Sequence, residues 1–276
     1  MCPLGGRLMD GVSDGAVGHL VCHCLLIETE AGLVLVDTGL GMQDVANPFP
    51  RLSPFYVNLL RVQLRESETA VRQVERLGFS ANDVRHIVLT HLDFDHAGGL
   101  EDFPAARVHV LRRERDSAAL GRRGFVARRR YRPQQWDAVD RWNTYAAPAG
   151  ERWFGFECVR QLDGLPPEIL LVPLAGHTWG HSGVAIESDR DWLLHAGDAY
   201  FHYDEMRAPE LRCPPGLAAY QRLMEVDRYR RLENQHRLRA LARQPDAHVS
   251  IVCSHDATEF EACVHTAAST DQPAFA

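Results

Sequence analysis

Ten residues, Thr90-His91-Leu92-Asp93-Phe94-Asp95-His96-Ala97-Gly98-Gly99, restrict what this chain can fold into more than any other stretch, because four metal-binding side chains crowd into it. They follow the apolar run Ile87-Val88-Leu89, which reads as a buried strand. Ligand types at i, i+2, i+4 and i+5 suit no single helix face. A strand end that turns sharply into a helix can aim all four at one point. Gly98 and Gly99 then let the backbone pass close to its neighbours. Imidazole with carboxylate suits zinc, iron or manganese, and softer sulfur is absent from the stretch.

The remaining composition narrows the chemistry. All 30 basic residues are arginine, so Schiff-base catalysis and a phosphate-loop lysine are excluded. A net charge of −7 disfavours bulk attraction to nucleic acid or anionic lipid. Seven cysteines, odd in number and widely spread, read as reduced thiols. No run approaches the ~18 apolar residues of a membrane span. A soluble cytoplasmic protein is expected, folded as one domain over residues 1–276, its 45% hydrophobic content sufficient for a full core.

Other strand ends repeat the theme of the first. Val34-Leu35-Val36-Asp37-Thr38-Gly39 closes a buried strand on an acid and a glycine turn. Asp37 suits either a cap on the turn's amides or a group orienting a metal ligand. Ile169 to Leu174 delivers Gly176-His177-Thr178-Trp179-Gly180-His181, in which His177 is the better ligand and His181 orients the loop. Trp192 to His195 leads to Gly197-Asp198, and His248 to Cys253 leads to Ser254-His255. Cys22-His23-Cys24 lies in an expected strand from Leu20 to Glu28, where alternation separates the thiols from the imidazole and argues against a shared metal.

The segment 121–156 reads as a basic and aromatic insertion. Its arginines Arg122, Arg123, Arg128, Arg129, Arg130 and Arg132 suit a solvated loop or a lid that steers anionic substrates. Trp136, Trp142, Trp153 and Phe156 belong to the core or to a pocket wall. Leu217 to Ala242 has the spacing of one long amphipathic helix.

With these strand ends in series, the sequence resembles the metallo-β-lactamase superfamily of hydrolases, in a lactonase-like or glyoxalase II-like branch. The resemblance implies an α+β fold, a four-layer αββα sandwich with two divalent metals at one edge. It assigns His91, Asp93 and His177 to the first metal and Asp95, His96 and His255 to the second, with Asp198 bridging. Asp93 departs from the family, which mostly has histidine there. Its added negative charge weakens the cluster as a Lewis acid, so iron or manganese stands close behind zinc.

The expected activity is hydrolysis of a small ester, a lactone or thioester, by a hydroxide bridging the metals, with Asp95 orienting it and passing on its proton. Lactonases of the superfamily often add a tyrosine shortly after the bridging aspartate, which makes Tyr200 and Tyr203 the candidates. The expected partner is a small-molecule substrate, without nucleic acid or membrane. The rival readings are a diiron or dimanganese redox protein of the same fold and a phosphodiesterase or nuclease.

Overall fold

The computed structural model describes residues 1–276 apart from 121–123, 147–150, 160, 189–190 and 270–276. Two β-sheets carry the molecule. The first contains Leu25–Thr29 (β1), Gly32–Val36 (β2), Val84–Val88 (β3), Arg107–Leu111 (β4) and Trp142–Tyr145 (β5), side by side in that order. After a short hairpin of Arg152–Trp153 (β6) and Phe156–Glu157 (β7), the second sheet uses Ile169–Pro173 (β8), Ser182–Ser188 (β9), Asp191–His195 (β10) and Val249–Val252 (β11). β1 and β2 form the expected hairpin, with Leu25 opposite Val36. β2, β3, β4 and β5 run parallel, and helices supply crossovers such as Ala70–Arg76 and Arg112–Leu120.

Three apolar clusters define the layers. Val34, Val36, Val88 and Leu111 of the first sheet meet Leu171, Val184, Ile186 and Val252 of the second, making the core between the sheets. The outer face of the first sheet packs Leu35, Ile87 and Val108 on Val71 and Val74 of a helix. The outer face of the second packs Leu170, Leu194 and Ile251 on Leu238 and Leu241. Successive strand residues point to opposite faces, so strands buried on both sides read as nearly unbroken apolar runs. The result is the α+β sandwich of helix, sheet, sheet and helix.

Three expectations need correction. The strand at Leu20 begins only at Leu25, because the backbone before it bonds elsewhere: His23 N donates to Ser254 O at 2.8 Å. The helix expected over 217–242 is two, Pro215–Met224 and Arg228–Ala242. Its break is tertiary, since Val226 N and Asp227 N both donate to Gly176 O at 2.9 and 3.0 Å, and Asp227 then caps the second helix. The segment 121–156 is also no simple insertion. It supplies β5 to the sheet edge, and Trp136, Trp153 and Phe156 are buried in the two outer cores, one of the two places open to them. Arg122 and Arg123 lie outside the described residues. Among the described residues, no helix is long and apolar enough to cross a membrane.

Candidate metal centre

The strand ends bring the ligands expected from the sequence to one place. β3 delivers His91, Asp93, Asp95 and His96; the loop after β8 delivers His177; Asp198 follows β10 and His255 follows β11. All seven side chains are buried, none more than 6% exposed. Close backbone approach makes the convergence possible. At Gly98 a Cβ would stand 2.7 Å from Gly39 O, and at Gly197, with φ of 55°, it would stand 2.6 Å from His181 Nε2.

Asp198 divides the ligands into two pockets. Its Oδ2 lies 3.8 Å from His91 Nε2 and 3.3 Å from His177 Nε2, while Asp93 Oδ2 is 3.4 and 3.0 Å from the same two nitrogens. Its Oδ1 lies 3.3 Å from His96 Nε2 and 3.2 Å from His255 Nε2, with Asp95 at the rim, 3.7 Å from His255. Tetrahedral ligands at bond lengths of about 2.0–2.1 Å stand ~3.3–3.4 Å apart, so both pockets have the spacing of a metal site. His91 Nε2, His96 Nε2 and Asp198 Oδ1 are buried with no hydrogen-bond partner. Buried polar atoms are ordinarily satisfied, and here a cation would satisfy all three. The residues fit divalent metal.

Groups behind the ligands fix their orientation. Asp37, at φ 57°, accepts from Thr90 N at 2.8 Å, Thr90 Oγ1 at 2.7 Å and His96 Nδ1 at 2.8 Å. Burial alone would raise the Asp37 pKa, but the His96 imidazole reverses this and holds it below the usual range. Asp37 therefore orients a ligand, His96, and ties down Thr90, a residue of another segment rather than of its own turn. His255 Nδ1 donates to Val21 O at 2.8 Å, and both imidazoles present Nε2 to the pocket. His181 accepts from Asp198 N at 2.8 Å and donates to Leu174 O at 3.0 Å, orienting the loop as expected.

Four residues near the ligands are not placed there by the sequence. Glu114, fully buried, accepts from Leu92 N, Thr178 Oγ1 and Gly180 N, clamping the loop of His91 to the loop of His177. Cys22 brings its sulfur into a group with Asp95 and His255, their candidate ligand atoms within 4.8 Å of one another. Residue 22 lies ahead of the strand, so alternation does not govern it, but His23 and Cys24 do not join this group. Tyr220 lies against Phe201, ring centroids 6.0 Å apart, and Phe201 in turn contacts the rings of His177 and His255. Burial and then the neighbouring Asp95 carboxylate raise the Tyr220 pKa well above that of a free phenol, so it stays protonated.

Arg130 is the fourth and departs furthest from expectation. Neither a solvated residue nor a lid, it is 1% exposed and forms a two-pronged pair with Asp93, Nε to Oδ1 at 2.7 Å and Nη2 to Oδ2 at 2.6 Å. Burial raises the Asp93 pKa, but the guanidinium outweighs it and holds the acid well below its usual range. Burial and Arg130 together push His177 down to about 4, leaving it neutral. In contrast, Asp198 overcomes burial to raise His96 and His255 well above a free imidazole in the metal-free protein.

The tyrosines chosen from sequence are not brought to the ligands. The Tyr200 hydroxyl is buried and donates to the Glu259 carboxylate at 2.9–3.0 Å. The Tyr203 ring lies against His202 at 4.5 Å. A cavity of about 1040 Å³, bounded by Arg113, Trp179, Tyr229 and Arg237, touches the centre only at His181. A smaller one of about 310 Å³, with Leu26, Leu35, Leu40 and Val74 in its wall, reaches Cys22 beside Asp95.

This metal-binding sandwich is that of the metallo-β-lactamase superfamily, to which the chain belongs: the family model matches residues 17–247. The chain is 42% identical over 248 residues to a probable metallo-hydrolase of Mycobacterium tuberculosis, covering 90% of this chain and 78% of that protein. It is 28% identical over 194 residues to an N-acyl homoserine lactonase of Bacillus thuringiensis, covering 68% of this chain and 69% of that one. Among solved structures, an N-acyl homoserine lactone hydrolase with N-hexanoyl-L-homoserine at its catalytic metal centre superposes with a TM-score of 0.68 at 22% identity, covering 95% of this chain and 92% of the other. The chain is a metal-dependent hydrolase of a lactonase-like family.

Proposed function

We propose that this hydrolase opens a lactone ring, using His91, Asp93, His177 and Asp198 around one metal position and Asp95, His96, His255 and Asp198 around the other. The observation that carries the reading is Asp198, whose Oδ2 faces His91 and His177 and whose Oδ1 faces His96, with His255 Nε2 3.2–3.3 Å from both oxygens. A divalent ion held there would supply Lewis acidity toward the carbonyl and lower the pKa of water. Asp95, at the rim, orients the attacking water and takes its proton. The Tyr220 phenol, its ring against Phe201 beside His177 and His255, donates a hydrogen bond toward the oxygen that gains charge. Phe201 helps exclude water from His177 and His255. The cavity beside Cys22 suits an apolar substituent on the ring. Zinc is the proposed ion. The extra charge of Asp93, which brings iron and manganese close behind zinc, is cancelled by Arg130.

The test is a panel of lactones of increasing acyl length, aryl thioesters and phosphodiesters given to metal-loaded protein, with ring opening followed by proton release. Each buried methylene contributes ~0.8 kcal/mol, so kcat/KM for lactones should rise about fourfold per methylene until the cavity is filled. Faster turnover of phosphodiesters or thioesters than of every lactone would refute the assignment.

A further inference from the structure

We propose that the Arg130 guanidinium is a resident cation of the first pocket, so that the chain holds one divalent ion tightly, among His96, Asp198 and His255, and a second only weakly. This rests on the metal-hydrolase reading above and concerns how its two pockets fill.

A guanidinium has five N–H donors, and all five are committed. Nε binds Asp93 Oδ1, and Nη2 binds Asp93 Oδ2 at 2.6 Å and His177 Nε2 at 2.7 Å. Nη1 binds Met224 O at 2.7 Å and His177 O at 3.2 Å. An arginine that merely drifted toward an acid would not find two backbone carbonyls on different segments as well. The side chain is built into the pocket.

The conflict with metal lies at His177. Its Nε2 stands 3.0 Å from Asp93 Oδ2 and could donate to it, but Arg130 Nη2 at 2.7 Å can only donate, so with the guanidinium in place Nε2 is an acceptor. Nη2 donates to both. A ring nitrogen has one in-plane lone pair, which serves either the guanidinium or a metal, so a metal at the first position must displace Nη2 from His177. Asp93, with four lone-pair sites, can keep Arg130 while it binds metal. The second pocket has no side-chain cation in it: His96 and His255 are held from behind at Nδ1, His96 Nε2 and Asp198 Oδ1 are without hydrogen-bond partners, and only protons on the two Nε2 atoms, His255's within 3.3 Å of Asp198 Oδ2, have to leave. Charge agrees. Asp93, Asp95 and Asp198 with Arg130 and one divalent ion give −3 + 1 + 2 = 0, whereas a second ion with a bridging hydroxide gives −3 + 1 + 4 − 1 = +1 in a buried site.

The experiment titrates metal-free protein with Zn2+ or Co2+ against a chromophoric chelator and counts ions retained after gel filtration. Wild type should retain one ion per chain, with a second class roughly 10–100-fold weaker, the size of effect that loss of ligand orientation produces. H177A should still retain one ion, H96A none, and R130M two of similar affinity. Should R130M fail to fold, H177A and H96A decide. Two equally tight ions in wild type, or loss of the tight ion in H177A, overturns the proposal while leaving the metal-hydrolase reading in place. A wild-type chain that binds no ion at all removes that reading and this proposal together.

Discussion

Replacing Asp37 by asparagine tests whether the groups behind the ligands set metal affinity. Asparagine tolerates the positive φ of this position, so the backbone should be undisturbed. Its oxygen can still accept from Thr90 N, and the Thr90 hydroxyl can rotate to accept from the new NH2. His96 has no such remedy. Its Nδ1 lies 2.8 Å from the oxygen that becomes NH2, so it must turn acceptor and its proton must move to Nε2, the atom facing Asp198. Loss of a partner of this kind weakens metal binding by 10–100-fold, about 1.4–2.7 kcal/mol. The lost charged hydrogen bond also costs about 1.5–3 kcal/mol of metal-free stability. Chelator competition gives the first quantity and urea unfolding in excess chelator the second. A D37N variant that unfolds more easily yet binds its tight ion as wild type does would leave Asp37 only its tie to Thr90.

Tyr220→Phe removes the proposed donor without its ring, so kcat should fall by about 10²-fold with KM and metal content little changed; an unaltered kcat would remove Tyr220 from the reaction. Glu114→Gln places an NH2 against one of three donors and should cost about 3 kcal/mol in urea unfolding. A loss below about 1 kcal/mol would mean that the two loops do not depend on it. For pH, His109 is buried between His86 and Tyr145, and burial followed by His86 lowers its pKa to about 3. The unfolded chain binds the proton near pH 6.5 and the folded chain does not, so stability is complete above ~6.5 and falls by at most ~1.4 kcal/mol per unit toward ~3. Thermal melting in excess chelator should show that slope, and H109Q should flatten it; equal slopes would exclude His109 as its source.

How much of the site was legible depended on the kind of information each residue carries. His91, Asp93, Asp95, His96, His177, Asp198 and His255 announce themselves by type and by their places at strand ends, properties local to a few residues. Arg130 does not. In sequence it is one of six arginines in a basic segment, and only the approach of three other chain segments makes it the partner of Asp93. Glu114 is similar, an acid in an arginine-rich helix whose three donors come from two distant loops. The strands were legible because burial on both faces writes itself as apolar runs. The break at 225–227 was not, because a carbonyl at Gly176 makes it. Tyr200 shows the limit of reading by position, since a tyrosine just past Asp198 turns instead to Glu259.

The placing of Arg130 has a consequence for assembly of the centre. Asp93 and Arg130 are 37 residues apart, whereas His255 meets Val21 across 234. Closing the longer loop costs about 1.6 kcal/mol more in chain entropy. The second pocket is also unfinished until the last strand has left the ribosome, because His255 comes after it. The acid and its guanidinium can meet while that strand is still unmade. The counter-charge to Asp93 thus comes from a nearer part of the chain than the last ligand of the second pocket does.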